Sequence, residues 1–250
     1  MYLIGDIGNS EIKICLVNKK NKIVKRITFS NFNLSLKDLN FFFKGFDNYF
    51  PKISKILFCS VVPSSFKIIK NFLKSKTKTI CLEIKQLNLS SLIKIKVNFN
   101  QVGSDRIANA VGLISNKKNF IIIDLGTATT FDVLIKNSYI GGIIAPGIKI
   151  SLKTLSDNAR LIPKINLKKI NKVIGKDTIT AVRSGFFWGY AGLIDNIINL
   201  ITKETRKSFK IIITGGFSSL FKNPLKTKVT EDKDITHKGL IKVLKLIKWK

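Results

Sequence analysis

Two stretches of this chain follow one plan, and that repetition limits what it can fold into. MYLIGDIGNSEIKICLV opens the sequence and IIIDLGTATTFDVL spans 121–134. Each runs an apolar strand into a single carboxylate, Asp6 or Asp124, turns through a short Gly-bearing loop with small hydroxyl residues, and leaves on a second strand. In the first copy Ile12, Ile14 and Leu16 alternate along that second strand, the period of a half-buried β-strand. One device used twice implies two similar halves, divided here as 1–116 and 117–250.

The intervening sequence makes the fold class α/β. Helices are expected at Leu36 to Phe43 and at Ser65 to Leu73, the latter after a turn at Pro63. Strands are expected at Ile56 to Val61 and at Thr79 to Ile84. VGSDRIANAVGLISN starts a helix near the midpoint. YIGGIIAPG, a polar helical stretch, a long apolar helix from Thr178 to Thr202 and the strand KIIITGG follow the second hairpin. The closing HKGLIKVLKLIKWK sets Leu240, Val243, Leu244 and Ile247 at helical spacing, so it reads as a core-facing amphipathic helix with a Lys face.

Composition enters where it excludes something. At 250 residues and 45% hydrophobic content the chain can fill real cores. No apolar run is long and uncharged enough to span a bilayer, and no basic segment precedes the first apolar stretch, so a cytoplasmic protein without a membrane partner is expected. Cys15, Cys59 and Cys81 are odd in number and lie in apolar segments, as buried reduced thiols do. A net charge of +29 invites a nucleic-acid reading, but the excess is Lys scattered along the whole chain, with Arg only at positions 26, 106, 160, 183 and 206. That distribution describes a solvated surface, and no specific nucleic-acid partner is expected.

The repeated turns carry the chemistry. Small residues expose backbone N–H groups to an anion, glycine permits close approach, and Ser or Thr hydroxyls add donors suited to phosphate oxygens. Like charge prevents the preceding Asp from binding phosphate directly, whereas it can hold a cation or its waters against phosphate. Asp6 and Asp124 are therefore expected to face one another across a cleft between the halves. Read alone, SDR at 104–106 is an ordinary helix start, with Ser104 or Asp105 as cap. Asp132 is expected to be structural, satisfied by backbone or by Thr129 and Thr130. His237 is not expected to be catalytic, and Arg183 and Asp195 read as surface or dimer-interface groups.

DIGNS, DLGTATT and ITGGF together resemble the phosphate hairpins and adenosine segment of the actin-like (ribonuclease H-like) superfamily of sugar kinases, acetate kinases and chaperone ATPases. Within it, DIGNSEIK, GSDR, DLGTATTFD, GGIIAPG and IGKDTITAVRSG, in this order, are similar to the marks of type III pantothenate kinase, over almost the whole chain. The resemblance implies a nucleotide cleft between two halves and ATP-dependent phosphorylation of pantothenate to 4'-phosphopantothenate, the first step of coenzyme A synthesis. It implies that Asp6, Ile7, Gly8, Asn9, Ser10, Glu11, Ile12 and Lys13 wrap the ATP phosphates, with Asp6 near magnesium through water. Thr127 contacts ATP, and Asp124 binds a monovalent cation, K+ or NH4+. Gly103, Ser104, Asp105 and Arg106 form the pantothenate site with Asp105 as general base. Thr178 reaches pantothenate from the partner subunit of a homodimer, and Gly215 and Gly216 lie under the adenosine.

Two departures accompany the resemblance. Ser10 stands where the family usually has Thr, and KVNFNQVGSDR lacks the Tyr and the Asn-Pro turn that usually precede G-x-D-R, leaving Phe99 to stand in for the ring. The competing function is a non-catalytic transcription accessory factor on the same fold, to which the charge lends weight. Retention of Asp6, Asp105, Asp124 and Thr127 together favours the enzyme. A sugar kinase with an insert domain would need more chain.

Overall fold

A computed structural model describes residues 1–247; Lys248, Trp249 and Lys250, the last residues of the expected closing helix, lie outside the described residues. The chain forms two compact units, Met1–Ile114 joined by the segment from Asp234 onward, and Ser115–Lys233.

The first unit begins with β1 (Tyr2–Ile7), β2 (Glu11–Val17) and β3 (Ile23–Ser30), an antiparallel meander. After α1 (Leu36–Phe43) and a 3-10 helix (Lys44–Lys52), β4 (Lys55–Ser60) returns parallel to β1. Helix α2 (Pro63–Lys76) then leads to β5 (Cys81–Glu83), giving the sheet order β3-β2-β1-β4-β5. The short β6 (Lys94–Ile95) and α3 (Ser104–Leu113) complete this part of the chain.

Local chemistry accounts for these limits. Ser35 and Asp38 cap α1 reciprocally, satisfying donors that a helix start leaves orphaned. Pro63 occupies the first turn of α2, where its missing N–H costs nothing, so the helix starts two residues before the expected Ser65. Strand β5 is shorter than the expected Thr79 to Ile84 because Glu83 and Gln86 form a capping box that turns the chain into a 3-10 helix at Ile84–Gln86. Phe43 packs on Phe46 at 5.3 Å and on Phe72 at 5.1 Å between ring centroids, under one face of the sheet. Burying rings of this size stabilises by roughly 1.5–3 kcal/mol each.

The second unit repeats the plan. β7 (Phe120–Leu125), β8 (Ala128–Ile135) and β9 (Ser138–Pro146) form an antiparallel meander. After α4 (Ile148–Asn158) and α5 (Thr178–Thr205), β10 (Lys210–Thr214) returns parallel to β7, followed by α6 (Ser218–Phe221) and β11 (Val229–Glu231), parallel to β10. Asp6 and Asp124 hold the same place, the fifth residue of a six-residue strand. The expected duplication is thus present in strand order and direction.

The division at residue 116 put the closing helix with the C-terminal half. It packs in the first unit instead: α7 (Ile235–Leu246) lies against α3. A Cβ on Gly239 would fall 1.8 Å from the Ala108 carbonyl oxygen, so glycine lets the two helices approach backbone to backbone. Leu240, Val243 and Leu244 are buried, as their spacing predicted. Cys15, Cys59 and Cys81 are buried free thiols.

Candidate active site

The first carboxylate is built by register. Strand pairing places Asp6 between Lys13 on β2 and Cys59 on β4. Burial, then the charge of Asp105, push the Asp6 carboxyl up to about 6, while Lys13 and the Cys59 thiol act in the opposite direction. The fold of the first unit therefore brings together two carboxylates that lie 99 positions apart in the sequence.

The loop after Asp6 is braced from behind. Ile7 and Ile12 pair at the ends of β1 and β2 and are fully buried, while Asn9, Ser10 and Glu11 are exposed. Within the turn the Gly8 amide donates to the Glu11 carbonyl at 3.0 Å. Asn31 Nδ2 donates to the Gly8 carbonyl at 2.7 Å, and the Asn31 amide donates to the Ser10 carbonyl at 3.1 Å. Ser65 Oγ in turn donates to Asn31 Oδ1 at 2.6 Å, tying the loop to α2. Lys13 pairs with Glu11 at 3.7 Å on the surface, a contact of little energetic weight.

Asp105 sits in the first turn of α3, whose cap is Gly103 rather than Ser104 or Asp105. Its Oδ1 accepts from the Arg106 amide at 2.8 Å. Burial pushes the Asp105 carboxyl above the ordinary range, against the Arg106 amide and guanidinium, which favour its charged form. A Cβ at 103 would lie 2.6 Å from Asp105 Oδ1, so a side chain there would displace the carboxylate. Ser104 is buried, and its hydroxyl helps hold down the Glu83 carboxyl that burial otherwise raises. Gly103 and Ser104 line one end of a hollow of about 470 Å³ that also meets Val61, Phe66, Lys85 and Gln101.

In the second unit Asp124 pairs in register with Thr130 and Thr214. Gly215 has φ +89°, a conformation that favours glycine, and a Cβ there would lie 2.5 Å from Asp124 Oδ1 and 2.6 Å from the Leu125 backbone. Of the paired glycines that follow the KIIIT strand, Gly215 is thus packed against the second carboxylate, whereas Gly216 is exposed with open space beside it. The Ser218 and Ser219 hydroxyls donate to Glu231 Oε1 at 2.8 and 2.6 Å, holding that carboxyl down at about 2. Thr127 is exposed in the β7–β8 turn, and Thr178 is the exposed first residue of α5, capped by Asp177.

The residues set apart from the chemistry make contacts of their own. Asp132 is buried, but its Oδ1 accepts from the Tyr139 hydroxyl at 2.7 Å; among the described residues the Thr129 and Thr130 hydroxyls have no hydrogen-bond partner. This hydroxyl partner lies on the neighbouring strand β9. Asp195, read as a surface or dimer-interface group, accepts from the Lys226 and Thr227 amides at 2.9 and 3.1 Å and so tethers a loop. Arg183 Nε donates to the Asn166 carbonyl at 3.2 Å. His237 is buried beside Arg26 and Asp234, with its pKa lowered to about 4, mainly by burial.

Two meanders of one plan, each with a parallel return strand and a carboxylate next to the end of its first strand, define the actin-like fold class. A Sinorhizobium meliloti protein described as a 2-dehydro-3-deoxygalactonokinase shares the fold at TM-score 0.61 and 8% identity, over 98% of this chain and 99% of that one. A Campylobacter jejuni protein described as a Baf family transcriptional activator does so at TM-score 0.57 and 23% identity, over 97% of each chain. At such identities the likeness concerns fold alone.

Within that class the chain belongs to the type III pantothenate kinase family, whose model matches residues 2–200. The Type III pantothenate kinase of Pelagibacter ubique (strain HTCC1062) is 63% identical over 248 residues, covering 99% of this chain and 100% of that protein.

Proposed function

We infer that this protein transfers the γ-phosphoryl group of ATP to pantothenate, giving 4'-phosphopantothenate, the first step of coenzyme A synthesis. The single observation that supports this best is the pairing of Asp6 and Asp105 in one unit, close enough for the charge of one to raise the pKa of the other. One lies next to the end of a strand at a glycine-bearing loop and the other in the first turn of a helix capped by Gly103. That is the arrangement needed when one carboxylate serves the phosphates and the other the acceptor.

Phosphoryl transfer needs positioning and charge stabilisation more than covalent catalysis. The 6–13 loop, with Asn9 and Ser10 exposed, donates to phosphate oxygens, and Thr127 adds a contact to ATP. Asp105 accepts the proton of the acceptor's primary hydroxyl as its oxygen attacks the γ-phosphorus and ADP departs. Burial, by raising the pKa of Asp105, makes it a better base than an exposed aspartate. Arg106 beside it pairs with the carboxylate of pantothenate.

Magnesium suits Asp6, because that ion is commonly held by one or two carboxylates together with water and substrate phosphates. A monovalent cation, K+ or NH4+, is assigned to Asp124, whose register partners Thr130 and Thr214 carry hydroxyl oxygens. When bound, the cations offset the charge carried by the phosphates. Asp6 would hold its share of such a shell from a β-strand, and glycine at 215 leaves free the space that the Asp124 carboxylate occupies, which a Cβ there would contest at 2.5 Å.

The working form proposed is a cytoplasmic homodimer in which Thr178 completes the partner's acceptor site. Exposed Ile179 and Leu200 on α5, at 40% and 52% accessible, support an interface on that helix. No helix among the described residues is long and apolar enough to cross a membrane.

Turnover of pantothenate with ATP, magnesium and potassium tests the activity, and omission of each ion tests its role. No phosphopantothenate under those conditions would overturn the reading. A fully active monomer in sedimentation would remove the trans role of Thr178. Sequence-specific protection of DNA at physiological salt would favour the accessory-factor alternative.

A further inference from the structure

The segment before Gly103 is where this chain departs from its family, and it has little regular structure of its own. A 3-10 turn at Phe99–Gln101 runs into Val102 and then into α3. Besides the turn's own hydrogen bonds, from the Asn100 amide to Asn98 Oδ1 and from the Val102 amide to the Phe99 carbonyl, one ammonium group reaches it from another part of the chain. Lys85 Nζ donates to the Asn100 carbonyl at 3.0 Å and to the Val102 carbonyl at 3.1 Å, and it lies 5.2 Å from the centroid of the Phe99 ring. The ring read as standing in for the family's Tyr is thus engaged by a lysine.

Helix stability does not explain a cation here. The N-terminus of α3 carries the positive end of the helix dipole, so an ammonium within a residue or two of it is unfavourable unless other contacts outweigh the repulsion. They do so through the two carbonyls and the ring. The lysine is itself fixed, because it belongs to the 84–86 turn that the Glu83 and Gln86 box closes: Glu83 Oε2 accepts from the Lys85 amide at 2.7 Å, and Gln86 Oε1 accepts from the Glu83 amide at 2.9 Å. The Ser104 hydroxyl joins the same Glu83 carboxyl from the α3 side. The sheet end at β5 therefore grips the segment on both sides of Gly103.

We propose that Lys85 is a positioning residue for the acceptor: by holding the carbonyls of Asn100 and Val102 it fixes where Gly103 and the Asp105 carboxylate stand relative to the acceptor hydroxyl. The proposal rests on the reading that 103–106 is the acceptor segment. A base displaced by about an ångström loses up to roughly a hundredfold in rate, so a loosened segment affects both acceptor binding and the chemical step. The ATP loop is braced separately, by Asn31 and Ser65, and is not touched.

Lys85→Met keeps the apolar stem and removes the donor, while Lys85→Arg keeps a cationic group with several N–H donors for the two carbonyls. Steady-state kinetics on each intact protein, together with hydrogen exchange of amides 99–106 without ligands, test the idea. Lys85→Met is expected to raise KM for pantothenate and lower kcat, for a loss of roughly tenfold or more in kcat/KM, with KM for ATP unchanged and faster exchange in 99–106. Lys85→Arg is expected to restore most of both readouts. A merely structural role would lower the active fraction and leave both KM values alone; that pattern, or unchanged exchange in Lys85→Met, would overturn the proposal. If Asp105→Asn also leaves pantothenate turnover intact, the acceptor reading itself fails, and the exchange result still reports on the brace.

Discussion

The buried thiol of Cys59 lies 3.5 Å from Oδ1 of Asp6, its register partner on the adjacent parallel strand, and 3.7 Å from the Gly5 carbonyl. Burial, reinforced by Asp6 and Asp105, pushes the thiol pKa well up, so it stays a neutral donor. It is one of the groups that hold the Asp6 carboxyl down. Cys59→Ala removes that donor, and the Asp6 pKa is expected to rise above about 6, at a stability cost of about 1 kcal/mol for the vacated volume. Carboxyl-carbon NMR titration reads the shift; an unchanged or lower value in the variant contradicts it.

Asn31 accounts for the shape of the first loop. It donates from its side chain to Gly8 and from its backbone to Ser10, and it receives the Ser65 hydroxyl. Asn31→Ala leaves the Gly8 carbonyl without that donor and frees the turn. The expected outcome is a roughly two- to tenfold rise in KM for ATP, the range set by one net hydrogen bond, with KM for pantothenate unchanged. Equal changes in both constants would show that Asn31 supports the whole unit and not the loop.

What could be read in the sequence was whatever local pattern encodes. Strand, carboxylate and turn recur within each hairpin, so Asp6 and Asp124 stood out, and apolar spacing marked Leu240, Val243 and Leu244 as a buried face. Contacts that depend on which strands become neighbours were not legible. Cys59 meets Asp6 only because β4 docks parallel to β1, and Lys85 meets residues 100 and 102 only because β5 ends beside α3. An amphipathic helix likewise does not announce which core it covers, so the place of α7 required the structure. Asp132 looked satisfiable from its own strand, yet its hydroxyl donor, Tyr139, sits across a hairpin.

His237 links pH to stability. Its folded pKa, about 4, lies below the ordinary 6.5 because burial, Arg26 and Lys13 disfavour the charged ring more than Asp234 favours it. Below pH 6.5 the unfolded chain therefore binds more protons at this site, and stability falls as pH drops from 6.5 toward 4. Urea midpoints across that window are expected to decline less in His237→Asn than in the parent. A parent and variant with parallel declines would assign the acid sensitivity to other groups.

Asp105 tests the mechanism most directly, because its substitution changes two independent observables. Asn keeps the size and one acceptor oxygen but takes up no proton, and losing a general base costs on the order of a hundred- to ten-thousandfold in rate. Pantothenate turnover by Asp105→Asn is therefore expected to fall at least about a hundredfold, while ATP affinity, which the proposed function assigns to the loops after Asp6 and Asp124, is expected to change little. The second observable needs no substrate. The negative charge of Asp105 contributes to raising the Asp6 carboxyl to about 6, so neutralising it should bring the Asp6 pKa down toward the ordinary carboxylate value. A variant whose Asp6 pKa falls but whose turnover stays above about a tenth of the parent rate, with chemistry limiting, would show that the carboxylates interact without Asp105 acting as the base. Loss of turnover together with the Asp6 shift is the result that joins the two carboxylates into one site.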